Sequence, residues 1–166
     1  GKITSLQVED SFRQVPRHIF VEDFARPQEA YLNKTISLKT GLSSSSQPEV
    51  MAKMLEELKL KEGMKVLEIG TASGYNAALL AEILGSSNVY TIELEEDLAQ
   101  RAIEKLEANY SEVTVISGNG YHGYQKGADY DRIIITAGAK FISKHLIKQL
   151  KMEGILVVPY NFYNVI

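Results

Sequence analysis

An apolar segment that runs into a short turn of small residues is the feature of this chain that most constrains its fold. Residues 66–69 are Val-Leu-Glu-Ile, and Gly70-Thr-Ala-Ser-Gly74 follows before a helical pattern begins at Tyr75. Glycine adopts backbone angles that other residues avoid and lets a ligand approach the main chain, while the free amides of a helix start carry partial positive charge. A strand, turn and helix of this kind are typical of a nucleotide-type cofactor site.

A second landmark is an acid about 20 residues after the turn. The apolar segment Asn88-Val-Tyr-Thr-Ile-Glu93 ends in a carboxylate at the spacing that suits the hydroxyl pair of a ribose. Together the turn and Glu93 predict that an adenosine moiety binds here. The alternative interpretation is that Gly70 and Gly74 only make a tight strand-to-helix turn.

Composition limits the class of protein. The 166 residues suffice for one domain, in which we expect residues 1–46 to form a cap of helices and loops and residues 47–166 to form a cofactor-binding core. Eighteen Lys plus Arg stand against 21 Asp plus Glu without a long like-charged run, which argues against a nucleic-acid partner. Cys is absent and the three His are far apart, so no metal site is predicted. No apolar run approaches the ~20 residues that span a bilayer, and we expect a cytoplasmic protein without a membrane partner.

From residue 64 onward the strand and helix patterns alternate strictly. Strands are predicted over 64–69, 88–92, 112–117, 131–135 and 154–158, and helices over 74–84, 95–108 and 143–150. Segments such as Ile133-Ile-Ile135 are continuous apolar runs, as expected when helices cover both faces of a sheet. The pattern predicts an α/β fold with a doubly wound, mostly parallel sheet of the Rossmann-like type.

The N-terminal part is less regular. Residues 5–15 carry apolar side chains at helical spacing before Pro16, and Pro48 suits the first position of a second amphipathic helix. Between them, residues 35–38 alternate like a short strand, and the serine-rich segment 41–46 is expected to be a loop.

The middle position of the glycine-rich turn distinguishes two classes of adenosine cofactor. A dinucleotide fingerprint needs a central Gly so that the backbone can meet a pyrophosphate, and this chain has Ala72 there. S-adenosylmethionine has no phosphate, and its methionine end has an ammonium group that Glu68 would approach. The residues therefore favour a methyl donor, with a nicotinamide oxidoreductase as the alternative.

A series of motifs lies in order along the chain, at residues 15–21, 30–33, 44–48, 67–75, 118–120, 130–137 and 149–159. In this order they resemble the motifs of the protein-L-isoaspartate O-methyltransferases, a class I S-adenosylmethionine-dependent methyltransferase family. Residues 67–75, for example, are similar to the family's Leu-Glu-Ile-Gly-Thr-Gly-Ser-Gly-Tyr. Each motif is modest alone, whereas their order over nearly the whole chain is specific.

The resemblance implies methyl transfer from S-adenosylmethionine to the carboxylate of an abnormal aspartyl residue in a protein or peptide. In the family the ester then collapses to a succinimide and reopens, which repairs isoaspartate. The resemblance assigns the active-site serine to Ser46 and substrate contacts to Ser44, Ser46 and Thr136. The cofactor contacts expected here are Ser45, Glu68, Gly70, Thr71, Ala72, Gly74, Glu93, Leu94, Asn119, Gly120 and Thr136.

The chemistry agrees with so sparse an active site. A carboxylate with a reference pKa of about 4 is ionised at neutral pH, so no strong base is needed to make the nucleophile. The protein has to align the carboxylate with the S–CH3 bond and remove its water. We therefore expect Ser46 to orient the carboxylate as a hydrogen-bond donor, without a catalytic triad.

The chain departs from the family pattern at several positions. Asn119 replaces an Asp, Ala72 a Gly and Asn33 an acid, and residues 44–46 are Ser-Ser-Ser where the family has Thr-Ile-Ser. The serine-rich segment is similar to a branch that methylates ordinary Asp in ribosomally made peptides, which is one alternative function. Family members also continue beyond the last predicted strand into an antiparallel hairpin, so a second alternative is a cofactor-binding module with little activity.

Overall fold

The computed structural model describes residues 3–138 and 141–159, so the outer ends of the predicted cap and core lie outside the described residues. The helices are α1 (Leu6–Gln14), α2 (Arg17–Val21), α3 (Pro27–Ala30), α4 (Pro48–Glu57), α5 (Tyr75–Leu84), α6 (Glu96–Tyr110) and α7 (Lys144–Gln149). The strands are β1 (Ile36–Lys39), β2 (Ser43–Ser45), β3 (Val66–Ile69), β4 (Val89–Glu93), β5 (Thr114–Ser117), β6 (Tyr130–Ile135) and β7 (Leu150–Val157).

The central sheet has five parallel strands in the order β5-β4-β3-β6-β7. From β3 the chain moves outward through β4 to β5, and it then crosses to β6 on the other side of β3. The strand order therefore reverses beside β3, at the carboxyl edge where ligands bind in sheets of this kind. The doubly wound α/β fold predicted from the sequence is confirmed.

Helix α5 is buried on almost every side because the sheet lies under one face and α1 packs against another. Leu79, Leu80 and Leu84 are fully buried and belong to one apolar cluster with Val8 of α1. Burying a leucine side chain contributes about 2 kcal/mol. The N-terminal helix predicted over 5–15 is thus part of the same core as the sheet.

The serine-rich segment expected to be a loop is instead strand β2. It pairs antiparallel with β1, with Ile36 opposite Ser45 and Ser37 opposite Ser44. Gly41, at φ +72°, turns the chain between the two strands. Serine has little strand preference, but the pairing uses backbone groups, and the β1 side chains Ile36 and Leu38 anchor the hairpin in an apolar cluster.

Two further differences from the sequence prediction follow from length and pairing. Helices α2 and α3 have five and four residues, too few for helical periodicity to be visible. Strand β7 begins at Leu150, earlier than predicted, because Leu150 already pairs with Tyr130. The pairing then shifts, so that Arg132 faces Ile155, and the regular part of β7 matches the predicted strand 154–158.

Within the described residues, no helix combines the length and the apolar character that crossing a membrane requires.

Candidate active site

A groove runs across the carboxyl ends of β3, β4 and β6, where the strand order reverses. It consists of two cavities of about 280 and 290 Å³ that share Gly70, Glu93, Leu94, Ala137 and Gly138. The first half lies between the β1–β2 hairpin and the turn after β3, and the second half lies between that turn and α7. Its position and mixed polar and apolar lining are those of a small-molecule site.

Most of the predicted site residues meet in this groove. The first half is lined by Ser44, Ser45, Ser46, Gly70, Thr71, Ala72, Glu93, Leu94 and Thr136. The second half is lined by Gly70, Glu93, Leu94, Asn119 and Gly120. Glu68 and Gly74 are the two predicted residues that line neither half.

The turn after β3 depends on its two glycines, both for their backbone angles and for their lack of a side chain. Gly70 has φ +105°, and a Cβ there would lie 2.9 Å from Thr136 Oγ1, so β3 and the end of β6 meet without space for a side chain. Gly74 has φ +82° and precedes α5, and its added Cβ would lie 3.3 Å from Ala102 Cβ on α6. Glycine at both positions permits the left-handed backbone and the close packing around the turn.

Ala72 occupies the left-handed region as well, with φ +51°. This conformation costs a non-glycine residue roughly 1 to 2 kcal/mol. The Ala72 amide donates a hydrogen bond to Glu93 Oε2 at 2.8 Å, which stabilises the turn in this shape.

Glu93 lies between the two halves of the groove. Its carboxylate is buried, with 6 % of the residue exposed, and it accepts hydrogen bonds from the amides of Ala72 and Glu95, the latter at 3.1 Å. A carboxylate has about four lone-pair positions, so about two remain for hydroxyl groups of a ligand. Glu93 thus lines both halves of the groove, and the ribose contact predicted from the sequence stays a prediction.

Glu68 lies beneath the turn and outside the groove. Asn76 Nδ2 donates to its Oε1 at 2.8 Å, and Thr91 Oγ1 donates to its Oε2 at 2.7 Å. Burial raises the pKa of Glu68 to about 7, because desolvation disfavours the charged form more than these two bonds favour it. Glu68 therefore supports the turn from beneath and does not line the groove, and its predicted contact with an ammonium group stays a prediction.

The second half of the groove is mainly apolar. Asn119 Oδ1 accepts from the Tyr121 amide at 2.9 Å, which uses one of the two lone pairs of this oxygen. A Cβ at Gly120 would lie 2.4 Å from Ile69 Cγ2, so the loop after β5 presses directly on the end of β3. The apolar lining consists of Ile69, Ile92, Leu94, Ile135, Ala137, Phe141 and Leu146.

Matches to known proteins agree with this geometry. The family model described as Protein-L-isoaspartate(D-aspartate) O-methyltransferase (PCMT) matches residues 1–165.

The chain belongs to this family.

Two curated members give the same result. The protein-L-isoaspartate O-methyltransferase of Ignicoccus hospitalis is 44 % identical over 161 residues, which cover 96 % of this chain and 75 % of that protein. The Archaeoglobus fulgidus protein-L-isoaspartate O-methyltransferase 2 is 46 % identical over 157 residues, or 93 % and 71 % of the two chains.

Solved structures support the same fold. A protein-L-isoaspartate O-methyltransferase structure superposes with a TM-score of 0.85 at 29 % identity, over 93 % of this chain and 50 % of that chain. This chain therefore spans about half of that solved protein. A beta-aspartate methyltransferase (PCMT) from Plasmodium falciparum in complex with S-adenosyl-L-homocysteine has a TM-score of 0.82 at 22 % identity, over 97 % and 79 % of the two chains. The family predicted from the sequence motifs is confirmed.

Two basic residues that were not predicted from the sequence form contacts with residues that line the groove. Lys39 Nζ forms ion pairs with Glu95 and with Asp97, the latter at 3.2 Å, and so ties the β1–β2 hairpin to the segment after Glu93. Arg17 donates to Ser45 Oγ and to the Ser46 carbonyl. Sequence spacing carried no signal for Lys39, whereas Arg17 lies inside the family motif at 15–21.

The three histidines lie outside the lining of both halves of the groove. His18 Nδ1 is 2.6 Å from Tyr31 Oη, and His122 contacts the rings of Tyr121 and His145. The described residues contain no group of three side chains suited to hold a metal ion.

Proposed function

We propose that this chain transfers a methyl group from S-adenosylmethionine to the free carboxylate of isoaspartyl residues in proteins or peptides, with Ser46 as the orienting side chain. Membership of the isoaspartate methyltransferase family supports the reaction class and the methyl donor. The observation that carries the proposal is that the serine hairpin and the turn after β3 line the same half of the groove. The nicotinamide alternative is set aside because the family consists of methyltransferases.

The residues of the groove fit S-adenosylmethionine. Glu93 offers lone pairs to a ribose, and Asn119 lies in an apolar half suited to a purine ring. Thr71 and Ala72 contribute the turn to the other half, where an amino acid end would lie. When bound, this donor supplies an electrophilic methyl group on a positively charged sulfur.

The protein's own residues would align and dehydrate the acceptor carboxylate. Ser44 and Ser46 contribute hydroxyl groups to the lining of the first half, and Leu42 and Met51 line the same cavity with apolar surface. Thr136 Oγ1 lies 2.7 Å from the Gly70 carbonyl oxygen, which holds the end of β6 against the turn. Because the carboxylate is already ionised, Ser46 needs only to donate a hydrogen bond that orients it.

In this proposal the N-terminal residues form a cap over the cofactor-binding core within one methyltransferase domain. The β1–β2 hairpin, from residues 36–45, lines the groove, and Ile36 and Leu38 anchor it in an apolar cluster with Leu98 of α6. The cap would thus contribute the substrate side, and the core the cofactor side.

The test is methyl transfer to an isoaspartyl peptide by Ser46→Ala. Loss of a hydrogen bond to a charged group is worth roughly 1.5 to 3 kcal/mol, so kcat/KM should fall about 10- to 100-fold. Ser37→Ala is the matched control, since Ser37 is an exposed residue of the same hairpin that does not line the groove. Full activity of Ser46→Ala would remove Ser46 from the mechanism.

A second candidate function is methylation of ordinary Asp in a partner peptide, and the Ser-Ser-Ser segment at 44–46 favours it. Matched peptides that differ only in Asp or isoAsp separate the two activities, because the hypotheses predict opposite preferences. Binding of S-adenosyl-L-homocysteine in calorimetry without transfer to either peptide would instead indicate a cofactor-binding module.

A further inference from the structure

Arg17 is a buried cation placed behind the serine segment. It opens α2, and only 1 % of the residue is exposed. Its two terminal nitrogens donate to the carbonyl oxygens of Ala30 (2.8 Å), Leu32 (3.5 Å), Lys34 (3.4 Å) and Ser46 (3.0 Å) and to Ser45 Oγ (3.3 Å). No carboxylate of the described residues forms an ion pair with it.

Such a group is costly to bury. An unpaired charge inside a protein loses its hydration, and burial accordingly lowers the pKa of the Arg17 guanidinium. The Nε atom is buried without a hydrogen-bond partner among the described residues, which adds to the cost. An apolar side chain would fill the same space without this cost, so volume alone does not explain an arginine here.

The contacts of Arg17 constrain the geometry of the serine segment. The planar guanidinium holds the Ser45 hydroxyl and the Ser46 carbonyl with one nitrogen, Nη2. Side chains alternate along an extended strand, so a Ser45 side chain turned towards Arg17 leaves that of Ser44 on the opposite side, and the bond to the Ser46 carbonyl fixes the backbone of the next residue. Ser45 is buried while Ser44 is exposed, as this alternation requires.

Arg17 also contacts the cofactor side of the groove. Its Cζ lies 5.9 Å from the ring centroid of Tyr75, the first residue of α5, and Tyr75 lines the same half of the groove as Ser46. Phe20 and Phe12 pack against the same ring at centroid distances of 5.7 and 6.2 Å. One side chain therefore links the serine segment to the start of the helix that follows the glycine-rich turn.

We propose that Arg17 is a positioning residue for methyl transfer, which sets the distance between Ser46 and the turn that opens α5. Arg17 does not line the groove and acts through Ser46, so the inference rests on the proposed role of Ser46. A misplacement of about 1 Å at a reacting group can cost about 100-fold in rate.

The test compares Arg17→Lys, which keeps the charge but loses the planar fork, with Arg13→Lys as control, since Arg13 is an exposed residue of α1. We expect Arg17→Lys to lower kcat on an isoaspartyl peptide about 10- to 100-fold, with the Kd for S-adenosyl-L-homocysteine changed less than about 3-fold. A kcat within 2-fold of the parent protein would overturn the proposal. So would a parallel loss of kcat and cofactor affinity, which indicates a purely structural role.

The double variant Arg17→Lys, Ser46→Ala separates this inference from the proposed function. If Arg17 acts through Ser46, the double variant should be no slower than Ser46→Ala alone, because residues that act as a unit are not additive. If the rate losses of the two single variants multiply in the double variant, the positioning role of Arg17 is contradicted, while the proposed role of Ser46 is unaffected. No effect of Ser46→Ala alone would contradict the proposed function itself.

If Arg17→Lys fails to fold, Ser45→Ala is the substitute variant, since it removes one Arg17 contact while the guanidinium keeps its backbone carbonyl partners. We expect it to lower kcat several-fold in the parent protein and to leave the rate unchanged in a Ser46→Ala background. A loss of the same size in both backgrounds would overturn the proposal.

Discussion

The Glu93 carboxylate accepts a hydrogen bond from the Ala72 amide at 2.8 Å, and this bond joins the end of β4 to the turn that follows β3. The other carboxylate oxygen accepts from the Glu95 amide at 3.1 Å. One side chain thus holds both segments that border the centre of the groove. A change at Glu93 should therefore alter the shape of the site as well as its charge.

Glu93→Gln should weaken binding of S-adenosyl-L-homocysteine about 10- to 100-fold, as measured by titration calorimetry. One oxygen becomes an NH2 group, which then faces the N–H of either Ala72 or Glu95, donor against donor. Glu96→Gln is the control, because Glu96 is an exposed residue in the first turn of α6. Unchanged affinity in Glu93→Gln would remove this carboxylate from the cofactor site.

Gly120→Ala should lower the free energy of unfolding by about 1 to 3 kcal/mol and weaken cofactor binding, because its Cβ would lie 2.4 Å from Ile69 Cγ2. Gly118→Ala is a matched control, since an added Cβ there meets no atom within 4 Å. Urea unfolding monitored by circular dichroism gives the free energy of unfolding of each variant. Equal stability of the two variants would show that the loop after β5 does not press on β3.

Lys39→Met should raise the KM for S-adenosylmethionine a few-fold with little change in the unfolding midpoint. Lys39 is partly exposed, so its ion pairs with Glu95 and Asp97 add little to global stability, yet they hold the hairpin beside the groove. Added salt should raise the KM of the parent protein towards that of Lys39→Met, since salt screens the pairs. Lys53→Met, on the exposed side of α4, should leave KM and its salt dependence unchanged.

Glu68 should make the stability of the protein depend on pH. Its pKa is raised to about 7, above the unfolded value of 4.5, so the unfolded state ionises first as the pH rises. The contribution of Glu68 is therefore fully present below about pH 4.5 and is lost as the pH rises to about 7, by roughly 3 kcal/mol. The difference in unfolding free energy between the parent protein and Glu68→Gln, from urea titrations at pH 5 and pH 7.5, measures it. A difference that does not change with pH would contradict the shifted pKa.

The strands and helices that could be predicted are those with a strong local pattern. Helix α5 and the apolar strands β3 and β6 have continuous apolar segments or clear periodicity, so their existence follows from neighbours in the chain. Strand β2 could not be found in this way, because three serines carry no such pattern and form a strand only through pairing with β1.

The chain's own residues determined the glycine-rich turn, the acid at Glu93 and hence the adenosine-type groove, because strand, turn and helix are consecutive and their spacing is local. Tertiary structure alone decided the direction of the Glu68 carboxylate, since a strand buried on both faces shows no alternation from which a side chain's face could be inferred. It also decided the contacts of Arg17 with Ser46, 29 residues away, and of Lys39 with Glu95, 56 residues away. Such contacts depend on how separate elements pack in three dimensions, and no spacing along the chain encodes them.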